Sequence, residues 1–401
     1  MNILVVCRVL PYPPDVGYKI RTFNLLKYLS SKHNISLVCY ASALDQGNHI
    51  SVMEQYCKSI WLVQPEKRTK VKQLPGLAKN LISGLPWYVK YAKSKEMKDT
   101  ILRLTKGNRF DLIHIDDPYM SSNLDVVSKS GVKKTVTFHD IESIKYQRIL
   151  GIEKNLYKKI RFFLNWLPMQ RWERRIAEKF DLNIVMSPVD RQILLSKNIN
   201  VKIAVIPNGV DTDSLDQLPP TDQQENISFF GTMDYPPNID AVLYFYKRVF
   251  QLIRRRLPET KFFIIGQKPT NELKKLSNDS NVIVTGYVKD IVPYYQKSSV
   301  VVVPLRAGGG TRLKILEAMG LGRPVVSTSL GSEGLEVTHS ENIMIADRPE
   351  DFAKHTIELM TNKTLRTRLT EKARKFVESY HSWRKIAGDL DRVYQEICLG
   401  K

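Results

Sequence analysis

The sequence predicts an α/β protein of two doubly wound domains, each a parallel sheet covered by helices on both faces. Short and nearly continuous apolar runs, such as ILVVC at 3–7 and VVVVP at 300–304, alternate with helical patterns along the chain. A segment rich in Pro, Gly, Asp and Gln at 206–227 divides these runs into two sets. The 401 residues suffice for two such domains. We therefore place the domains at 1–212 and 213–381.

The apolar runs are the predicted strands, taken in order. The first domain has them at 3–7, 35–40, 59–63, 111–116, 133–138, 182–187 and 202–208, and the second at 226–231, 261–266, 282–286, 300–304, 324–328 and 342–346. A helical pattern over 364–398 breaks at 378–383, and the final helix, 382–401, is predicted to cross back and complete the first domain. Doubly wound sheets bind ligands beyond the carboxyl ends of their strands. Two facing domains therefore imply a cleft in which each domain binds one ligand.

Composition excludes several classes of protein. Hydrophobic residues make up 43% and charged residues 25%, which argues against disordered and fibrous chains. No apolar run approaches the ~18–20 residues of a membrane-spanning helix. The start, MNILVVCRV, has no basic segment before its apolar run and is interpreted as a first strand, not a signal peptide. The four cysteines form no CxxC pair, which favours a reduced, cytoplasmic location without a structural metal.

Positive charge is concentrated in the first half of the chain. The net charge is +20, and residues 1–212 contain 34 Lys and Arg against 18 Asp and Glu. Two stretches, 58–106 and 143–180, mix basic side chains with large apolar ones, as in LYKKIRFFLNWLPMQRWERR at 156–175. This mixture suits an anionic membrane surface, here the inner face of the membrane, to which the protein would bind peripherally. Two solvated helical hairpins are the alternative; no nucleic-acid partner is expected, because no binding motif accompanies the charge.

The segment 300–335 carries the clearest chemical signal. A buried strand ends at Pro304, and three consecutive glycines precede a helix predicted from Thr311 to Met319; these glycines are Gly308, Gly309 and Gly310. Glycines let a ligand approach the backbone, and the free N–H groups of a helix start suit phosphate.

Charged side chains in the same segment strengthen the phosphate interpretation. Arg312 and Lys314 lie in the first helical turn, where the helix dipole by itself favours acidic residues, and Glu317 lies one turn further along. A tight packing turn is the alternative. No GxGxxG follows the first strand and no GxxxxGK[ST] occurs, which disfavours dehydrogenases and P-loop enzymes.

Several motifs, in order, resemble those of family 4 glycosyltransferases, which are retaining enzymes of the GT-B architecture. They include PYPPDVGYKIRTF near the start, VTFHD at 136–140, VIPNGVD at 205–211, GTMDYPPNIDA at 231–241 and GTRLKILEAMG at 310–320. The last two together are similar to the exopolysaccharide-associated branch of that family. The resemblance extends over most of the chain.

This resemblance implies a donor site. Glu317 matches the second Glu of the family's E-x7-E element, which hydrogen-bonds the nucleotide ribose. The first Glu would fall at Gly309, so backbone N–H groups of Gly309, Gly310 and Thr311 would meet the donor sugar instead. The family's Arg and Lys are also missing after the first strand of the second domain, where this chain has GTMDYPPN. The first residue of that segment, Gly231, is assigned to the donor site. Arg312 and Lys314 would then supply the counter-charge for the diphosphate.

The first domain would contribute residues around the sugar. His139 matches the family's histidine beside the donor sugar, although a lone His is commonly structural, and Gly17 matches an N-terminal glycine loop. Lys19 and Arg21 would meet an acceptor phosphate.

Two pairs of acidic residues deserve separate interpretations. Asp116 and Asp117 end a predicted strand and are candidates for acceptor contacts, with strand capping as the alternative. Asp211 and Asp213 form a D-x-D sequence, but it lies in the inter-domain connection, so no metal site is expected.

The implied reaction moves a sugar from a nucleotide diphosphate to a glycan or lipid-linked acceptor, with retention, in cell-surface polysaccharide biosynthesis. It requires no metal and no cofactor besides this co-substrate. The alternative is a catalytically inactive nucleotide-sugar-binding or assembly subunit of a polysaccharide complex. Gly309 favours that alternative, whereas Glu317, His139 and the basic loop favour an enzyme.

Overall fold

A computed structural model describes residues 1–42, 47–66, 85–125, 131–197, 199–213, 217–219 and 226–399. The chain forms two compact units. Unit 1 comprises Met1–Leu150, Lys154–Asn208 and Trp383–Lys401, and unit 2 comprises Gly151–Glu153 and Gly209–Ser382. The terminal helix thus groups with the first unit, and the main boundary lies after Asn208, four residues before the expected one.

Within the described residues, unit 1 contains a seven-stranded parallel sheet in the order β3-β2-β1-β4-β5-β6-β7. Its strands are Asn2–Val9 (β1), Asn34–Tyr40 (β2), Ser59–Val63 (β3), Leu112–Ile115 (β4), Lys133–Phe138 (β5), Leu182–Val185 (β6) and Ile203–Val205 (β7). Each of these strands coincides with a predicted apolar run. Strands β4 and β6 are buried along their whole length, as expected for a parallel sheet covered on both faces.

The helices of unit 1 follow these strands. They are Gly17–Leu29 (α1), Gly47–Glu54 (α2), Trp87–Ala92 (α3), Lys95–Gly107 (α4), Glu142–Ile152 (α5), Leu156–Ala177 (α6), Pro188–Leu195 (α7) and, from the end of the chain, Trp383–Leu399 (α15), with a 3-10 helix at Pro118–Asn123. Helix α15 packs on α1. A buried apolar cluster forms part of the core of this unit.

The part of unit 2 that the structure describes contains a six-stranded parallel sheet in the order β10-β9-β8-β11-β12-β13. Its strands are Asn226–Phe230 (β8), Lys261–Ile265 (β9), Val282–Gly286 (β10), Val300–Val303 (β11), Val325–Ser327 (β12) and Met344–Ile345 (β13). These too match the predicted runs. A second apolar cluster forms the core of this unit.

The helices of unit 2 are Pro236–Tyr244 (α8), Gln251–Arg254 (α9), Asn271–Lys274 (α10), Val292–Lys297 (α11), Leu313–Gly320 (α12), Pro349–Thr361 (α13) and Lys363–Tyr380 (α14), with a π-helix at Phe245–Phe250 and a 3-10 helix at Lys275–Asn278. Helix α12 begins two residues later than predicted, because Arg312 still has extended backbone angles. The predicted break between the last two helices falls between Tyr380 and Trp383.

The two sheets share one topology, and this confirms the predicted doubly wound class. In each sheet, the strand that comes first along the chain lies between the second and the fourth. The direction in which strands are added therefore reverses between the first and the fourth strand. The reversal occurs between β1 and β4 in unit 1 and between β8 and β11 in unit 2. Loops at the carboxyl ends of these strand pairs are the usual ligand positions of such sheets. None of the described helices is long and apolar enough to cross a bilayer.

Candidate functional site

The predicted glycine loop lies at the switch point of unit 2, between the end of β11 and the start of α12. Gly308 has φ +115° and Gly310 has φ +68°, backbone angles that favour glycine. A Cβ atom on Gly308 would lie 3.2 Å from Arg312 Nη2 and 3.6 Å from Pro237 at the start of α8. The loop is therefore closely packed against both Arg312 and the neighbouring helix start.

Arg312 is the N-cap residue of α12, and its guanidinium turns back onto the glycine loop. Its Nη1 donates to the carbonyl oxygen of Gly309 and, at 2.7 Å, to that of Gly310. The next residue back, Thr311, is buried. These contacts fix the positive charge at the amino end of α12, beside the glycines with which it was predicted to act.

Lys314 extends from α12 to the carboxyl end of β8. Its Nζ donates to Asn238 Oδ1 at 3.1 Å and lies 4.1 Å from the centre of the Phe229 ring. A Cβ atom on Gly231 would lie 2.9 Å from this Nζ. Burial, reinforced by the charge of Arg312, lowers the pKa of Lys314 to about 7. The structure thus brings Gly231, Gly308, Arg312 and Lys314 together.

Glu317 lies one turn further along α12 and contacts a residue that the sequence did not single out. The hydroxyl of Tyr295 donates to Glu317 Oε2 at 3.3 Å, and the Tyr295 ring stacks on Phe230 at 3.8 Å. Burial raises the pKa of Glu317, while Tyr295 and Lys314 act in the opposite direction. Tyr295 is fully buried, so its sequence signal was that of an ordinary core aromatic in VPYYQK.

In unit 1, His139 and Asp116 lie together at the carboxyl ends of neighbouring strands β5 and β4. His139 Nε2 is 3.4 Å from Asp116 Oδ2, and the Thr22 hydroxyl of α1 donates to the same oxygen at 2.7 Å. Asp116 is buried, whereas 20% of the His139 side chain is exposed. Thr22 was not predicted; its only sequence signal was its position in the first turns of the helix after β1.

Arg21 and Asp117 have structural contacts that bear on their expected acceptor roles. Arg21 is 1% exposed, and its guanidinium donates to the carbonyl oxygens of Ile206 and Pro207 at 2.8 and 2.6 Å. Burial therefore removes the solvent access that an acceptor phosphate requires. Asp117 caps the 3-10 helix, not a strand, by accepting from the Tyr119 N–H at 3.0 Å, and its Oδ2 lies 3.5 Å from Arg8 Nε. We place Arg21 among the structural residues, whereas the acceptor role of Asp117 stays a prediction.

The remaining predicted residues of α1 lie at its start. Gly17 is the first residue of the helix and is exposed. Lys19 forms an ion pair with Asp15 at 3.1 Å, and its side chain is 18% exposed. Their donor and acceptor roles stay predictions.

The described part of the chain contains no group of three His, Cys, Asp or Glu side chains arranged to hold a metal ion. Asp211 and Asp213 of the D-x-D sequence lie directly after the isolated β-bridge that Val210 forms with Ser382.

The second basic stretch forms an exposed surface on unit 1. In the first turns of α6, apolar side chains at helical spacing face solvent, with Leu156 71% and Phe163 51% exposed; Tyr157 and Ile160 belong to the same group. Lys158 and Lys159 are exposed between them. We call these six residues the α6 surface. In the first basic stretch, residues 67–84 lie outside the described residues.

The fold and this arrangement define a class of protein: two doubly wound units, the second with a basic glycine loop at its switch point. Two family models match the chain, Glycosyltransferase Family 4 over residues 17–214 and Glycosyl transferases group 1 over residues 224–362. Together the two matches cover most of the chain and identify its two parts as glycosyltransferase domains of these families.

Individual relatives agree with this membership. An uncharacterized 44.6 kDa protein in the cps region of Klebsiella pneumoniae is 25% identical over 404 residues, covering 97% of this chain and 98% of that protein. Sucrose-phosphate synthase from Thermosynechococcus elongatus is similar in structure, with a TM-score of 0.73, 16% identity and full coverage of both chains. Anabaena HepE in complex with UDP and glucose has a TM-score of 0.65 at 15% identity, covering 99% of this chain and 100% of its own. The two structural likenesses show the GT-B fold.

Proposed function

We propose that the protein is a retaining glycosyltransferase that moves a sugar from a nucleotide diphosphate to a glycan or lipid-linked acceptor. The location of its relative in a cps region supports a role in cell-surface polysaccharide biosynthesis. HepE, of the same fold, is described with UDP and with glucose, which supports a nucleotide-sugar donor. In this proposal no metal ion takes part, because side chains of the chain itself carry the positive charge.

The observation that carries the proposal is the position of Lys314 Nζ at Gly231. The family's usual basic residues are missing from the loop after β8, yet the ammonium group of Lys314 reaches that loop from α12. Arg312 lies at the start of the same helix, next to two glycines with positive φ. The positive charge that the family has in the loop after β8 is thus supplied in this chain by a side chain of α12, at nearly the same place.

This arrangement suits departure of a nucleotide diphosphate. Negative charge develops on the leaving phosphate as the glycosidic bond breaks, and fixed cations and N–H groups stabilise it. Arg312, Lys314 and the amino end of α12 would supply these groups, while Glu317 would hold the ribose hydroxyls. His139 would contact the donor sugar. No side chain is required to act as a covalent nucleophile.

Turnover of an Arg312→Ala variant tests the diphosphate assignment. Wild-type protein is screened with UDP- and GDP-sugars and membrane-extracted acceptors, with and without EDTA, and the product's anomeric configuration is read by NMR. We expect retention, EDTA-insensitive transfer and a loss of about 10²-fold or more in turnover for Arg312→Ala.

Arg306 offers a matched control in the same loop. Its guanidinium pairs with Asp240 at 2.6 Å and stacks on Tyr244, so Arg306→Ala removes an equal charge that is engaged elsewhere. Equal turnover in both Arg variants would contradict the diphosphate assignment. Nucleotide binding without any transfer would instead favour the alternative, an inactive nucleotide-sugar-binding or assembly subunit.

We also propose that the protein binds the cytoplasmic, anionic face of a membrane peripherally through the α6 surface. Exposed apolar side chains such as Leu156 and Phe163 match the acyl region, and the adjacent lysines match anionic headgroups. A membrane location would bring the enzyme to a lipid-linked acceptor.

Vesicle flotation tests this surface. Wild-type protein is expected to float with vesicles containing phosphatidylglycerol, less so at high salt, and not with neutral vesicles. Phe163→Ser together with Ile160→Ser is expected to reduce flotation strongly. Tyr380→Ser, which removes an exposed aromatic side chain from α14 in unit 2, is the control. Equal recovery with neutral and anionic vesicles would contradict a membrane role.

A further inference from the structure

The buried carboxylate of Asp116 lies beside His139, the histidine that we assign to the donor sugar. Asp116 was expected to contact the acceptor, but it is only 5% exposed. Its Oδ2 accepts from the Thr22 hydroxyl at 2.7 Å and lies 3.4 Å from Nε2 of His139. A buried charge of this kind requires partners: the Thr22 hydroxyl provides a hydrogen bond, and the buried His139 Nε2, which makes no hydrogen bond to the described residues, lies within reach.

His114 and Arg21 also lie near Asp116, with His114 Nε2 4.0 Å from Asp116 Oδ1, but hydrogen bonds to other groups hold both side chains. His114 Nδ1 is 2.9 Å from the Thr135 hydroxyl and its Nε2 is 3.3 Å from the Thr137 hydroxyl. Burial lowers the pKa of His114 to about 4, so this ring is neutral near pH 7. The guanidinium of Arg21 donates to the carbonyl oxygens near Pro207. His139 is therefore the imidazole that the Asp116 carboxylate is placed to orient.

The two nitrogens of His139 have different surroundings. Nε2 is buried and lies 3.4 Å from Asp116 Oδ2 without a hydrogen bond of regular geometry, whereas a fifth of the side chain is exposed. A neutral imidazole carries one N–H, and the partner of one nitrogen determines the state of the other. A carboxylate beside Nε2 favours the proton on that nitrogen.

We propose that Asp116, held in place by Thr22, is a positioning residue that fixes the tautomer and orientation of His139. With the proton on Nε2, Nδ1 has a free lone pair and accepts a hydrogen bond from a hydroxyl of the donor sugar. Asp116 itself does not touch the substrate. This inference rests on the proposed function for its effect on turnover, but its effect on the ring is independent of any substrate.

The ring tautomer is measured by ¹⁵N–¹H correlation through the two ring nitrogens. The chain has seven histidines, and a His139→Gln variant identifies the signals of His139. At a pH where the ring is neutral, wild-type protein is expected to show the Nε2–H tautomer. Asp116→Leu, which has a similar shape and no acceptor, is expected to show a mixture. Thr22→Val, a milder change, is expected to lie between the two.

Turnover supplies the second readout. Asp116→Leu is expected to lower kcat about 10²-fold, with KM for the nucleotide sugar nearly unchanged because the nucleotide contacts are assigned to unit 2. Asp116→Asn keeps one acceptor oxygen and is expected to recover part of that loss. Combining Asp116→Leu with His139→Gln is expected to lower kcat no more than His139→Gln alone, since both changes remove the same function.

Asp391 provides the matched control. It is also a buried Asp that pairs with a histidine, because its Oδ1 lies 2.8 Å from His33 Nε2, and it belongs to α15 of the same unit. Asp391→Leu is expected to leave the His139 tautomer and kcat unchanged while destabilising the unit comparably.

The two readouts separate failure of the inference from failure of the proposed function. An unchanged His139 tautomer in Asp116→Leu would overturn the inference, whatever the activity. An equal loss of kcat in Asp391→Leu would do the same, because it would indicate general destabilisation. A changed His139 tautomer in Asp116→Leu, together with a wild-type protein that transfers no sugar, would support the positioning role and refute the proposed function.

Discussion

Lys314 illustrates how a single side chain combines recognition with an energetic cost. Its ammonium group lies in a partly buried position above the Phe229 ring, and burial together with the charge of Arg312 lowers its pKa to about 7. In the free protein, the neighbouring charge of Arg312 therefore makes the Lys314 ammonium group easier to deprotonate. A bound diphosphate would compensate both charges, so the site is better suited to the anion than to solvent.

Nucleotide binding is predicted to take up a proton through Lys314. With a pKa of about 7, this group is mostly neutral at pH 8 in the free protein, and an adjacent diphosphate raises its pKa. Calorimetric titration with UDP in two buffers of different ionisation enthalpy measures the uptake. It is expected to approach one proton at about pH 8 and to diminish at about pH 6.

Two variants control this measurement. Lys314→Met reveals any proton change of the nucleotide itself, and the uptake of wild-type protein is expected to exceed it at pH 8. Lys261→Met removes an exposed lysine from the start of β9 and is expected to behave as wild type. Equal uptake in Lys314→Met and wild-type protein would contradict the prediction.

The loop after β8 shows how one element makes room for a side chain from another. A Cβ atom on Gly231 would lie 2.7 Å from Asn238 Nδ2 and 2.9 Å from Lys314 Nζ. Both are the ends of side chains, which can move. At Gly266, in contrast, a Cβ atom would lie 1.7 Å from the carbonyl oxygen of Gly231, and φ is +150°. Only the second glycine is therefore required by the backbone.

Gly231→Ala is predicted to weaken nucleotide binding by about tenfold with little change in stability. The new methyl group would displace the Lys314 ammonium, and a hydrogen bond to a charged group contributes about 1.5–3 kcal/mol. UDP titration and thermal unfolding are the measurements. Gly266→Ala is expected to destabilise the fold strongly, because backbone atoms would have to separate.

Gly388→Ala in α15 is the neutral control for this pair, since nothing lies within 4 Å of its Cβ position. Unchanged UDP affinity in Gly231→Ala would show that the position of Lys314 does not matter for the diphosphate.

At the scale of the whole molecule, the end of the chain belongs to the unit in which the chain begins. Helix α15 packs on α1, and its Asp391 pairs with Lys32 at 2.9 Å and His33 at 2.8 Å in the turn that follows α1. Trp383, the first residue of α15, is 1% exposed. Residues nearly 360 positions apart in sequence thus stabilise one core.

Trp383→Ala is predicted to destabilise unit 1 selectively, by about 3–5 kcal/mol, because it removes a large buried side chain. Amide hydrogen exchange followed by mass spectrometry is expected to accelerate in β1 and β4 more than in β8 and β11. Leu399→Ala, at an exposed position of the same helix, is the control. Equal acceleration in both sheets would contradict a selective effect.

The sequence by itself determined the strands, the doubly wound class and the order of the motifs. Apolar periodicity is a local property, and a strand buried on both faces, such as β11, imposes it directly on its own residues. The glycine loop and Glu317 were found for the same reason, since they follow that strand within a few residues.

Only the tertiary structure decided which distant side chains meet. Strand order brings Thr22, Asp116 and His139 to one edge of a sheet, and it brings Lys314 to Gly231, which is 83 positions earlier. Residue type suggested an exposed Arg21, but backbone carbonyls from a segment about 185 residues later enclose its guanidinium. Such contacts depend on crossover connections between strands, and no local pattern in the sequence encodes their partners.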